Sequence, residues 1–233
     1  MPRPSDLRRC TYCGKLKKLG VDHVPPKSLF PKPRPNNLIT VPACRECNEG
    51  ESTHDEYFAT ALALNHELSS NPAVVGLRPK IERALAMPEK AGFSAAFRGV
   101  RQVSRLYHPN GRPYESTQTY DVNVERLARV VSRATAGLFF RFSQRPLKSG
   151  YYVGAQLESE LTFSDAPETW AQLKAVKELA PLLSYPLVYT ARGLRSATDP
   201  DTTIWWHTFY DKVSFVGATL PPPEDEPAAT TAV

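Results

Sequence analysis

Two Cys-x-x-Cys pairs, Cys10-Thr11-Tyr12-Cys13 and Cys44-Arg45-Glu46-Cys47, lie 30 residues apart and hold all the cysteine of this 233-residue chain. Each pair can present two thiolates from one tight turn, and two such turns complete a tetrahedral sulfur site for zinc. Disulfides or a redox dithiol would use the same residues. Zinc bound by Cys10, Cys13, Cys44 and Cys47 would be structural, because four thiolates leave no open coordination position for catalysis. Gly14, directly after the first pair, suits the turn. The stretch between the pairs exceeds the roughly 15–20 residues of the commonest zinc patterns, so something is inserted between the two knuckles. The surrounding segment is rich in proline and basic residues and poor in periodic apolar runs, as suits a small unit held by a metal more than by a core.

Composition narrows the class. Hydrophobic residues are 41% and charged residues 23% of the chain, near the averages of soluble globular proteins. No apolar run approaches the roughly 18 residues of a spanning helix. The first ten residues, MPRPSDLRRC, lack the apolar stretch of a signal peptide, so the expectation is a cytoplasmic protein without a membrane partner. The net charge of +5 is unevenly spread: basic against acidic residues number 10 to 4 over 1–50, 14 to 9 over 51–150, and 5 to 11 over 151–233. A basic first two thirds favours a polyanionic partner, although a solvated surface would look the same in sequence.

The reading along the chain is an α+β protein in four parts: 1–52, a zinc-bound unit; 53–97, a helical connector; 98–220, an α+β domain with a mostly antiparallel sheet; and 221–233, a disordered tail. Thr53-His54-Asp55-Glu56 reads as a capping box opening a helix to about Ser69, and a second helix runs from Leu77 to Met87. Pro109-Asn110-Gly111 between two β-prone runs, 102–107 and 114–120, signals a hairpin. Residues 123–142 have helical periodicity, with Arg126, Arg129 and Arg133 as a stripe that would extend the basic track around the inserted loop or, as the default expectation, face solvent. A strand over 151–157, a helix opened by Asp165-Ala166-Pro167-Glu168, and strands over 187–190, 203–210 and 212–218 complete the pattern. Trp205, Trp206, Phe209, Tyr210 and Phe215 read as sheet core.

The inserted loop carries Asp22-His23-Val24-Pro25-Pro26, then Asn36-Asn37-Leu38, and Asn48 follows Cys47. In this order and spacing the segment over about residues 8–52 resembles the zinc-stabilised branch of the HNH endonuclease family. That resemblance implies a ββα-metal fold, a two-stranded hairpin and a short helix around one divalent cation. It implies His23 as the general base that activates water, Asp22 and Asn48 as ligands of the catalytic cation, and Asn37 as the residue bracing the loop. It also implies phosphodiester hydrolysis leaving 5′-phosphate and 3′-hydroxyl ends, with defence or mobile-element roles by analogy. The third motif position is Asn48 in place of His, a common family variant.

The residue types suit that chemistry on their own terms. An imidazole can take a proton from water near neutral pH. Hard oxygen ligands favour magnesium or manganese at the second site, while the soft sulfur site selects zinc. Lys27 and Arg45 are the basic residues nearest the site in sequence and are candidate phosphate contacts. Glu51, three residues after Asn48, is a further candidate for the metal or its water, or else an exposed acid. DNA is the expected substrate, and RNA offers the same bond. The alternative is a non-catalytic zinc module that binds nucleic acid. The carboxy-terminal domain stays open to a protein partner or a second copy of the chain.

Overall fold

The computed structural model describes residues 7–98, 102–119, 121–161 and 167–222. Two short strands, β1 (Arg8–Arg9) and β2 (Leu16–Lys17), form a ribbon around the first cysteine pair. The next hairpin pairs β3 (Leu19–His23) with β4 (Thr40–Cys44), and β4 runs directly into α1 (Arg45–Glu49). This is the expected ββα unit, and the molecule as a whole is α+β.

Helix α2 (Ser52–Leu64) lies at the centre. Its residues from Tyr57 to Ala63 are all buried, the pattern of a helix covered on every side. The capping box expected at Thr53 does not form: Glu51 is the N-cap residue and makes no side-chain capping bond. The reason is that Gly50 and Glu51 already have right-handed helical backbone angles, so Thr53 falls inside the first turn. The helix stops at Leu64 and a 3-10 turn follows, short of the expected Ser69.

Helix α3 (Pro72–Ala86) starts five residues before its expected position, with Pro79 in its interior. The Asn71 side chain accepts hydrogen bonds from the amides of Ala73 and Val74 and makes that start. After α4 (Ala91–Arg98), β5 (Gln102–Tyr107) and β6 (Pro113–Thr119) form a two-stranded ribbon of their own, separate from the main sheet. Tyr120, the Asp165-Ala166 helix opening and tail residues 223–233 lie outside the described residues.

Helix α5 (Val124–Ser143) is the spine of the molecule. Beyond it are β7 (Tyr152–Leu157), α6 (Pro167–Lys177), β8 (Leu183–Tyr185), β9 (Tyr189–Arg195), β10 (Thr203–Phe209) and β11 (Val213–Leu220). The five strands form one antiparallel sheet in the order β7-β11-β10-β9-β8. The expected strand at 187–190 starts instead at Tyr189, as β9, and a separate short strand, β8, precedes it. Leu187, with φ of 65°, turns the chain between β8 and β9, and β9 continues to Arg195.

Alternation along β10 and β11 divides the sheet's two faces. Trp205, Phe209 and Phe215 belong to the large core with α2 and α5, whereas Trp206 and Val216 pack with Leu173 and Val176 of α6. The large core does not stop at the amino-terminal unit: Val24, Leu29, Phe30 and Val41 share it with α2, α3, α5 and the sheet. Two glycines permit the close approach of α5 to its neighbours. A Cβ on Gly137 would lie 2.5 Å from Val24 Cγ2, and one on Gly217 would lie 2.1 Å from Thr135 Oγ1. No described helix is long and apolar enough to cross a membrane.

Candidate functional site

The cysteines come together as their spacing requires. Gly14, at φ of 66°, closes the first turn, its amide bonding the Cys10 carbonyl at 3.0 Å. The second pair spans the β4–α1 junction, and the Cys44 amide donates to Cys10 Sγ at 3.3 Å. All four Sγ atoms lie within 4.8 Å of one another, and Cys13 and Cys44 are 3.9 Å apart. A tetrahedron with zinc–sulfur bonds of about 2.3 Å has sulfurs about 3.8 Å apart, so the set fits zinc.

Its electrostatics agree. Burial pushes the Cys10 thiol up, but the backbone amides of Cys13, Cys44 and Tyr12 outweigh it and bring it to about 7. Burial and the neighbouring sulfurs push the Cys47 thiol far up, and burial also raises Cys44. Four sulfurs this close could share one divalent cation, whose binding would release the remaining thiol protons.

The clamp sets β3 against α1, and with them the residues of the HNH-like motif. Asp22 pairs across the hairpin with Val41, and His23 with Thr40. Asn48, on α1, donates through Nδ2 to the Val21 carbonyl at 3.1 Å. Its Oδ1 is the remaining oxygen of a side chain pinned beside the strand that carries Asp22. His23 is half-buried; burial lowers its pKa, Lys27 and Arg34 lower it further, and Asp22 opposes them.

Asn37 is exposed. The bracing seen at this point comes from Tyr185, whose hydroxyl donates to the Asn37 carbonyl at 3.2 Å and accepts from the Ile39 amide at 2.8 Å. Lys27 is exposed beside His23. Arg45 is exposed and paired with Glu49 at 2.7 Å on the same helix.

Three arginines of α5 reach into this site, against the expectation of a solvated stripe. Arg126 donates to the Thr53 carbonyl at 3.2 Å and to His54 Nδ1 at 3.4 Å, with its guanidinium 4.0 Å from the Tyr57 ring centre. Arg129 grips Glu51 through two bonds, of 2.9 and 2.6 Å, which hold that carboxyl below its usual range. Glu51 is therefore engaged by an arginine, not open to solvent.

Arg133 donates from Nε and Nη2 to Asp22 Oδ2 at 3.0 and 2.8 Å, and from Nη1 to the Cys47 carbonyl. Tyr12, between the first two cysteines, donates its hydroxyl to the same Oδ2 at 2.6 Å and lies under the guanidinium, 4.2 Å from its ring centre. The Arg133 and Asp22 side chains are only 10% and 12% exposed. In such burial, removing one partner costs about 3–5 kcal/mol through the charge left behind. Asp55 completes the cluster. Burial, then the charges of Asp22 and Glu51, push its carboxyl up to about 7 against the pull of Arg133, and its buried Oδ1 has no hydrogen-bond partner among the described residues.

Tyr12, Arg133 and Asp55 carried no signal as site residues in the sequence. The arginine periodicity showed that the three side chains share a helix face but not what that face meets.

In comparison with known proteins, the HNH endonuclease family model matches residues 10–54, starting and ending two residues later than the expected span of about 8–52. No curated protein and no solved structure matches the chain. The molecule thus carries an amino-terminal HNH-type module with a four-cysteine cluster suited to zinc.

Proposed function

We propose that the protein is a metal-dependent endonuclease that hydrolyses phosphodiester bonds, with DNA as its substrate. The observation that carries the reading is the hydrogen bond from Asn48 to the Val21 carbonyl. Through it the zinc clamp brings a hard oxygen of α1 to the strand bearing Asp22 and His23. A binding module would need neither a base nor oxygen ligands at that junction.

In this reading His23 takes the proton of the attacking water on its imidazole. Its lowered pKa keeps the ring neutral, and so able to accept, at physiological pH. Asp22 and Asn48 would hold a magnesium or manganese ion by oxygen, which when bound supplies Lewis-acid stabilisation of the phosphate and the leaving oxygen. Lys27, exposed and near enough to His23 for its charge to act on the imidazole, would meet a neighbouring phosphate. Tyr12 also lines an open cleft of about 870 Å³ with Arg9, Lys15 and Lys148 on its walls, a run of positive charge suited to a nucleic-acid backbone. Zinc in the sulfur site would maintain the fold and take no part in the reaction.

The test is incubation of plasmid with the zinc-loaded protein in magnesium, in manganese and in EDTA. Nicking or linearisation with either metal and none in EDTA is expected. Binding without cleavage in every arm would favour the non-catalytic zinc module instead.

A further inference from the structure

We infer that Arg133 and Tyr12 are positioning residues that turn Asp22 so that its Oδ1 is free for the catalytic cation. The HNH-type module would then be completed by a helix that begins 70 residues after the family match ends. This inference rests on the proposed role of Asp22 as a metal ligand.

Elsewhere in this molecule arginines meet carboxylates in a different geometry. Arg145 contacts Asp201 with one nitrogen on each oxygen, Nη1 to Oδ1 at 2.7 Å and Nη2 to Oδ2 at 2.8 Å. Arg129 does the same with Glu51, Nε to Oε2 and Nη2 to Oε1. This fork-to-fork pairing is the strong, geometrically preferred form. Arg133 departs from it: Nε and Nη2 both meet Asp22 Oδ2, and the Tyr12 hydroxyl makes a third bond to the same atom. Among the described residues no hydrogen bond falls on Oδ1.

A buried ion pair whose task was only stability would gain by using both oxygens. Three donors on one oxygen give up that gain, fix the carboxylate's rotation and leave the second oxygen unclaimed. The third guanidinium nitrogen, Nη1, holds the carbonyl of Cys47, the residue before Asn48. One side chain therefore grips both strand and helix at the two proposed ligands. The Tyr12 ring under the guanidinium fixes its plane. Partners behind a metal ligand orient it, and their loss commonly weakens metal affinity by about 10- to 100-fold.

The experiment uses full-length, zinc-loaded protein and measures manganese binding by electron paramagnetic resonance. Zinc content and circular dichroism are recorded on the same samples. Wild type should bind one manganese, and Asp22→Asn should abolish it. Arg133→Met should weaken manganese binding by about 10- to 100-fold, Arg133→Lys less, and Tyr12→Phe, which keeps the ring, least. In cleavage assays Arg133→Lys and Tyr12→Phe should raise the manganese concentration for half-maximal rate while the rate at saturating metal largely recovers. If Arg133→Met loses its zinc, Arg133→Lys and Tyr12→Phe decide the matter.

Unchanged manganese affinity in the folded variants overturns the inference and leaves the metal reading standing. Tighter binding overturns it too, showing that the guanidinium competes with the cation for Asp22. A wild type that binds no manganese overturns the metal reading and this inference together.

Discussion

His23 is the residue on which the proposed chemistry turns, and its surroundings make a prediction with a definite sign. Burial, Lys27 and Arg34 all disfavour the imidazolium and outweigh the attraction of Asp22. The neutral, proton-accepting form therefore persists to more acidic pH than for a histidine at its ordinary 6.5. Cleavage at saturating metal should be flat across neutral pH and should fall as pH drops through a value below 6.5. Lys27→Ala removes one of the opposing charges and should move that acid limb upward. The pH dependence of kcat/KM for both proteins checks this, and a rate that rises toward acid would contradict His23 as the base. Asp22, His23 and Asn48 could be proposed from the sequence because the first two lie between the cysteine pairs and the third directly follows the second pair. Arg133 could not, since its partner lies 111 positions away, and a polar helix face reads alike whether it meets water or a buried carboxylate.

Among the elements, α5 does two things at once. One face sends Arg126, Arg129 and Arg133 onto the HNH-type module. Another sends Thr135 into the sheet, where its hydroxyl and that of Tyr189 flank the buried ring of His207 at 2.9 and 2.7 Å. Gly137 is the point at which the module's Val24 touches the helix. Alanine would raise helix propensity there by about 0.8–1.0 kcal/mol, but its methyl would sit 2.5 Å from a branched, fully buried valine. The clash outweighs the propensity, so Gly137→Ala should lower the melting temperature, and Val24→Ala in the same chain should restore part of the loss. A thermal melt of the three proteins measures this.

The helix itself was plain from its 3.6-residue periodicity. The start of α2 was not, because Gly50 and Glu51 take helical angles and draw the helix back past the residues that look like a cap. The break between β8 and β9 was hidden too: it turns on a leucine in the left-handed region, a conformation its side chain gives no reason to expect.

At the scale of the whole molecule, the four cysteines cluster within the first 50 or so residues, which carry the proposed chemistry, yet the core that supports them runs through α2, α5 and the five-stranded sheet. Positive charge is concentrated in the part of the chain that builds the site, and the acidic last third supplies the sheet and α6. The zinc cluster and the proposed cation site differ in ligand softness and should separate experimentally, the first governing the fold and the second the reaction. The most direct test of the account is plasmid cleavage by His23→Ala, purified with zinc and supplied with magnesium or manganese, beside the wild type. The account predicts a folded protein of unchanged zinc content that leaves the plasmid intact. Cleavage at the wild-type rate would contradict it.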